Sequence, residues 1–376
     1  MGATNRGRLW WGVSVAVAVV IAAAVAIAVV PRSDTAHLSD TPGKSAETTV
    51  DKATTWRIVH GDGKLGGTLE TLTIADGEHG WAFGNTDAED DKHTRIDGWD
   101  GKKWTAEKVP SGSTVTPEFA DASSPTNVWA AGEVGDKTQL LHYNGKSWTP
   151  SAFDGGVLDV EAVSSTDVWA LSPNASGDMG AKHFNGTTWS DAPEPSMLFP
   201  ENTALTSLGP NELYAAGTSD DDMPTVEKFD GTKWTSMGVP KDVKGYCEAR
   251  FDDIFARSSD DIWASGINDC SGGDGTEQEG LVAHWTGEKW DVTIDHKGGE
   301  YASLADDGAG GVWLADFYKL VHMAANGKIT RLGFERAKQT QTVFVRNVPG
   351  SIKMLAAGAC IYGGPPDFGA VWGYGF

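Results

Sequence analysis

Seven times along its 376 residues the chain returns to one short apolar strand, an aromatic position followed by small residues. The copies are GWAFG (80–84), VWAAG (128–132), VWALS (168–172), LYAAG (213–217), IWASG (262–266), VWLAD (312–316) and MLAAG (354–358). A Gly turn closed by Trp follows most of them: DGKKW, NGKSW, NGTTW, DGTKW and TGEKW end at Trp104, Trp148, Trp189, Trp234 and Trp290. A sixth turn, NGKIT, puts Ile329 in the Trp position. From Trp81 through Trp129, Trp169, Tyr214, Trp263 and Trp313 to Leu355 the spacings are 48, 40, 45, 49, 50 and 42. A period in the forties that holds several strands is the signature of propeller blades, and no helical periodicity competes with it. The expected fold is all-β: a seven-bladed β-propeller of four-stranded blades, preceded by one transmembrane helix and a flexible linker.

Each repeat divides into strands a to d. In the third, strand a is expected near Val157–Val163, a turn at Ser164–Asp167, strand b from Val168, strand c over Ala181–Phe184 and strand d at Trp189. Asn-Gly and Asp-Gly suit the c–d turn because both central positions accept positive φ at little cost. The Trp after it fits the space between blades; burying an indole removes roughly 150–250 Å² from water, about 4–6 kcal/mol before entropy. The seventh repeat stops early. Strand a is expected near Thr342–Arg346, strand b near Ile352–Gly358 and strand c near Gly369–Phe376, with no strand d after it. Residues 54–59, TWRI at their centre, match an isolated strand d, so they are expected to pair with 369–376 and close the ring. Closure removes the exposed edges of an open sheet.

Residues 9–30 run without a charge for 22 positions, roughly 33 Å as a helix and enough to span a bilayer. Arg6 and Arg8 precede the segment, which places residues 1–8 in the cytoplasm and the propeller (54–376) outside. Residues 31–53 are polar and read as a stalk. An uncleaved signal-anchor is favoured over a signal peptide cut near Ala26-Ile27-Ala28, which would make the protein secreted. The formal charge is −22, from 52 acidic and 30 basic residues. Such a surface repels phosphate backbones and excludes nucleic acid as a partner, leaving cations, basic proteins or plain solubility.

These repeats resemble the [DN]-[VI]-W-A-x-G … [DN]-G-x-x-W units of bacterial, especially actinobacterial, secreted or membrane-anchored propeller proteins. The resemblance covers about residues 54–376. It implies the fold and says little of function, because such propellers bind diverse partners. Sialidase-type Asp-boxes place Asp two residues before the Gly, whereas Asn or Asp directly precedes it here. Kelch repeats need a recurrent Gly-Gly pair, and WD repeats a recurrent Gly-His…Trp-Asp signature; neither recurs. Thr286–Trp290 is one residue short of the Trp-docking motif of quinoprotein propellers and occurs once.

Three groups of side chains could carry chemistry. In the fifth repeat, pairing Phe255 with Ile262 gives an index sum of 517, the sum that Cys247 and Cys270 also give. The two cysteines are therefore expected to face one another and form a disulfide outside the cytoplasm; Cys360 is expected to be a buried free thiol. The b–c loops are acidic: Asp87, Glu89, Asp90 and Asp91 in the first repeat, Asp220, Asp221 and Asp222 in the fourth, Asp269, Asp274, Glu277 and Glu279 in the fifth. They are candidates for a partner-binding rim. No cofactor is implied, although a Ca²⁺ ion is left open; no run has the spacing of a dedicated calcium loop. Near the channel end of strand a stand Glu118, Asp159, Glu161, Arg250, Asp252 and Asp253, a set with the groups for acid–base work. His142, His183 and His284 recur at matching strand-c positions and read as structural. There is no nucleophile elbow, phosphate loop or zinc spacing. The expected function is a membrane-anchored, monomeric, extracytoplasmic binding or scaffolding module for a protein or cell-envelope polymer, and not an enzyme. The alternative is a glycan-directed hydrolase or lyase using channel carboxylates.

Overall fold

The structure is a computed structural model. It describes residues 56–61, 67–86, 94–134, 137–174, 176–196, 203–219, 221–241, 243–271, 277–316, 319–333, 340–360 and 368–376. The expected span 9–30 and stalk 31–53 lie outside them. The described residues form seven four-stranded antiparallel sheets, six of them from four strands consecutive in sequence. We number these blades one to seven by their first three strands. Blade one is Leu69–Ile74, Gly80–Asn85, Thr94–Trp99 and Trp104–Ala106, and blade three is Asp159–Ser164, Asp167–Pro173, Met179–Phe184 and Trp189–Asp191.

Blade seven is the exception. Its strands a to c are Thr340–Asn347, Met354–Cys360 and Phe368–Tyr374, and its outer strand is Arg57–His60 from the other end of the chain. Arg57 stands opposite Gly373 and Ile58 opposite Trp372. Strand b here begins at Met354 rather than Ile352, which sits in the preceding turn 72% exposed. Trp56 is 0% exposed and meets Trp313 of blade six edge-on, with centroids 5.4 Å apart.

That contact is one case of a rule. The residue that opens strand d, or in blade seven Trp56 just before it, packs on the aromatic position of strand b in the blade before: Trp148 on Trp81 and Trp189 on Trp129, both edge-on at 6.4 and 5.7 Å. Trp234 shares a core with Trp169, Trp290 with Tyr214, Ile329 with Trp263, and Trp104 with Leu355. Edge-to-face geometry sets the positive rim of one indole against the negative face of the other, adding to area burial. The indole N–H groups of Trp148, Trp234 and Trp290 find acceptors across the seam. Glu107 takes Trp81 Nε1 at 3.0 Å and Trp148 Nε1 at 2.5 Å, and Trp290 donates to the Met237 carbonyl.

The [DN]-x-W…His pattern has a local cause. Asn127, Asp167 and Asp261 each accept from the indole two residues on and from a strand-c histidine, His142, His183 or His284. In blades two and five the histidine lies flat on the Trp ring, at 4.1 and 3.8 Å. Blade four substitutes Glu212, Tyr214 and Lys228 in the same relation. The three histidines are therefore structural pegs.

Cys247 and Cys270 form a disulfide with Cα atoms 5.1 Å apart, but the register differs from the expected one. Phe255 pairs with Trp263, not Ile262, so the index sum near the turn is 518. A bulge at Asp252 then inserts one residue, and from Phe251 to Glu248 the sum is 517. The cysteines meet because the bulge restores the register that the turn had shifted. The side chain of Cys360 is outside what the structure describes.

Truncating Trp56 to Ala is expected to cost about 3–5 kcal/mol, as much as Trp148→Ala, in denaturant melts of the two variants. Replacing Cys247 and Cys270 by Ser is expected to lower unfolding free energy by about 2–4 kcal/mol, measured the same way.

Candidate functional site

Strand a is the innermost strand of each blade, so one of its edges has no strand partner and its N–H groups on that side face the central channel. Acidic side chains of the preceding blade take them up. Asp121 of blade two accepts from Ala162 N at 2.8 Å. Asp159 of blade three accepts from Leu205 N at 2.7 Å and from its neighbour Val160 N. Asp253 of blade five accepts from Leu304 N and Ser303 Oγ, at 2.8 and 2.9 Å. Glu161 accepts from Ser207 Oγ at 2.6 Å. Each acid thereby ties one blade to the next.

One guanidinium serves this group. Arg346 of blade seven lies over the Phe344 ring, donates to Ser303 Oγ and the Val345 carbonyl at 2.9 Å, and stands 3.5 Å from Asp253 Oδ2. Burial pushes Asp159 up to about 7; repulsion from Asp253 adds to it, while the Leu205 and Val160 N–H groups and Arg346 oppose it. Burial raises Glu161 well above the usual carboxylate range, with Asp121 and Asp159 adding repulsion. Burial also raises Asp121, against the N–H groups of Ala162 and Ala122 and the charge of Arg346. A carboxyl held near neutrality has the pKa of a general acid or base, but here both oxygens of Asp159 are engaged in backbone hydrogen bonds.

A second group sits earlier on strand a of blade five. Arg250 Nε donates to Asp252 Oδ1 at 2.9 Å and its Nη2 to Glu300 Oε1 at 2.6 Å. Burial raises Asp252 well above its ordinary range, opposed by Arg250 and reinforced by Glu300. Its side chain is only 7% exposed. Asp252 is the bulge residue of its strand, and Glu118 occupies the same bulge in blade two. A bulge re-aims its side chain, which is how these acids leave the blade faces.

The expected rim is described in part. Asp87, Glu89, Asp90, Asp91, Asp220 and Asp274 lie outside the described residues. Asp221 is exposed and paired with Lys241 at 2.6 Å, which holds its carboxylate below the usual range. Asp222 is exposed at a φ of 56°. Asp269 accepts from Ser271 N and is lowered by Ser271, and Glu277 is exposed in the turn just before the next strand. Glu279 bonds Asn268 and His296. Asn268 also receives Cys247 N, so the disulfide and this amide hold the blade-five rim to the connection from blade four. Among the described residues no cluster of three or more His, Cys, Asp or Glu is arranged to hold a metal ion. A pocket of about 340 Å³ between blades three and four is lined by Asp167, Trp169, His183, Asn211 and Phe229, and so exposes one of the repeated structural pegs.

Comparison with known proteins adds the fold and nothing finer. No protein-family model matches the chain, and no curated protein matches it in sequence. Solved propellers do match. They include YCF48 bound to D1 peptide, 15% identical with a TM-score of 0.54 over 82% of this chain and 94% of that one. The WD40 propeller domain of Doa1 is 12% identical, with a TM-score of 0.57 over 85% and 97%. Virginiamycin B lyase from Staphylococcus aureus is 13% identical, with a TM-score of 0.54 over 81% and 94%. At such identities the likeness establishes a shared β-propeller architecture.

Sequence reasoning placed Glu118, Asp159, Glu161, Arg250, Asp252 and Asp253 on strand a but missed Asp121, Glu300 and Arg346. Counting back from the strand-b aromatic would have found two of them: Asp121 and Arg346 pair with Trp129 and Leu355, as Glu161 pairs with Trp169.

The raised acids make the folded chain hold protons that the unfolded chain releases. For Asp159 that contribution to stability is complete below about pH 4 and is lost as pH rises through about 7. Asp159→Asn is expected to remove about 1–2 kcal/mol of the stability loss between pH 5 and pH 8, less than the full shift implies because the residue is only half-buried. Denaturant melts across that range measure the difference.

Proposed function

We propose that the chain is an extracytoplasmic binding or scaffolding module, tethered to the membrane by residues 9–30, whose acidic b–c rim docks a basic protein or cell-envelope polymer. The observation that carries this reading is the division of labour among the carboxylates. Those of the inner strands are committed to tying blades together, whereas Asp222 and Glu277 on the rim loops are exposed to solvent. The disulfide supports it further, because it stiffens the rim loop of blade five and suits an oxidising compartment. Structures of the same architecture include one bound to a peptide. No cofactor enters the proposed role.

A second reading is favoured by one observation, the carboxyl of Asp159 held near neutrality inside the channel. It makes the protein a hydrolase or lyase acting on a glycan, with Asp159 or Glu161 as the acid.

The test uses the tagged full-length chain on intact cells, crosslinked through residues placed at positions 176 and 278 of the rim or at Lys146 on the opposite end of blade two. Rim-specific crosslinks to a defined partner are expected, weakened about tenfold by Asp221→Asn, Asp222→Asn, Asp269→Asn and Glu277→Gln together, with reduced sensitivity to salt. Equal crosslinking from both ends of the blades, or no effect of the four amides, would count against the rim. Loss of the tag from washed membranes would count against the tether.

A further inference from the structure

Arg95 breaks the repeat. It lies on strand c of blade one opposite Gly84, three residues beyond the strand-b aromatic. The matching positions in blades two, three, four, five and seven hold the uncharged Gln139, Gly180, Thr225, Leu281 and Ala370, and that in blade six holds Lys319, which is exposed where Arg95 is buried. Arg95 is 6% exposed and is the one buried cationic side chain among the described residues. Its Nε donates to Asp97 Oδ2 at 2.7 Å. That oxygen is shared with His60 Nε2, 3.0 Å away on the outer strand of blade seven. The His60 ring in turn stacks on Trp104, with centroids 5.5 Å apart.

What this seam lacks is acceptors. Among the described residues neither Nη1 nor Nη2 of Arg95 has a hydrogen-bond partner, and neither does Nε1 of Trp104. A carboxyl can take a proton to relieve such a mismatch, but a guanidinium keeps its charge at any pH a protein survives. A buried unpartnered donor is costly, more so on a charged group. The fold can satisfy a polar side chain here. Gln139, the equivalent in blade two, accepts from Thr114 N and donates to the Gly112 carbonyl, both in the connection that leads into its own blade. Arg95 instead uses its side edge on Asp97 and leaves its end edge, the Nη1–Nη2 pair, open. That edge presents two parallel donors at the spacing of the two oxygens of a carboxylate.

We propose that the seam between blades seven and one is a carboxylate-binding site, in which Arg95 receives both oxygens of a carboxylate borne by another molecule. Trp104 Nε1, also without an acceptor among the described residues and carried by the ring stacked on His60, is assigned to the same site as a third donor. The site is separate from the acidic rim and does not rest on the reading of that rim. Because the nitrogens have no contact with solvent, the anion enters as the seam parts locally. Uptake is therefore saturable and specific to carboxylate geometry, unlike general salt screening.

The test is the thermal midpoint of the full-length chain titrated with sodium acetate against sodium chloride at fixed ionic strength. A saturable rise with acetate alone is expected. Arg95→Lys keeps the charge without the planar fork and is expected to weaken apparent acetate affinity at least tenfold. Should that variant fail to fold, Trp104→Phe removes a single donor and is expected to weaken acetate severalfold. The proposal is overturned if acetate and chloride act alike, or if the acetate response survives unchanged in whichever of these variants folds. It is also overturned if acetate acts only after Asp87, Glu89, Asp90 and Asp91 are changed to amides, since the chain's own acids then fill the fork.

Discussion

The fold depends on one contact made seven times: the residue at or just before the start of strand d packed on the strand-b aromatic position of the blade before. Sheets in a propeller share no hydrogen-bond ladder with their neighbours, so side chains must hold the ring together. Large indoles do this because one ring spans the gap between sheets, and in Trp148, Trp234 and Trp290 its N–H still reaches an acceptor there. Glu107 shows the economy of the arrangement, with one carboxylate holding Trp81 and Trp148 across the first seam. Where an indole is replaced, as by Ile329 against Trp263, apolar packing alone remains.

The inner edge of the ring has its own problem and its own solution. Seven strand edges line the channel, and unpaired N–H groups there need acceptors. Asp121, Asp159 and Asp253 supply them from the adjacent blade, at the cost of drawing carboxyls together beside one Arg346. The raised pKa values of Asp121 and Asp159 follow first from burial at this inner edge, with repulsion from a neighbouring carboxylate adding at Asp159. They therefore arise from assembling the ring, whether or not any chemistry uses them. The same reasoning separates structural histidines from ligands, since His142, His183 and His284 each serve an Asn or Asp and a Trp of their own blade.

Much of the fold was legible because the repeat encodes it. The Trp spacing marks the blades, and Trp56 without a hairpin of its own marks an outer strand that needs a partner from the far end. The cysteine pair was legible for an incomplete reason: the register was off by one at Phe255, and the bulge at Asp252 compensated for it. Contacts between blades were not legible. Glu107 lies just past a three-residue strand d, and nothing in its sequence surroundings says that it bridges two indoles. Arg95 stood out as little, because its oddity appears only when strand-c positions are aligned through the observed register. Sequence periodicity reports what each blade shares, whereas the candidate sites lie where one blade departs from the rest.

Ring closure is tested most directly by native-state hydrogen exchange of the outer strand of blade seven. The amides of residues 57–60 that pair with Phe368–Tyr374 are expected to be protected to nearly the same free energy as those inside Met354–Cys360, and to be released together with them by global unfolding. Exchange of residues 57–60 at the rate of an unstructured chain, while Met354–Cys360 remains protected, would contradict a ring closed by both ends of the chain.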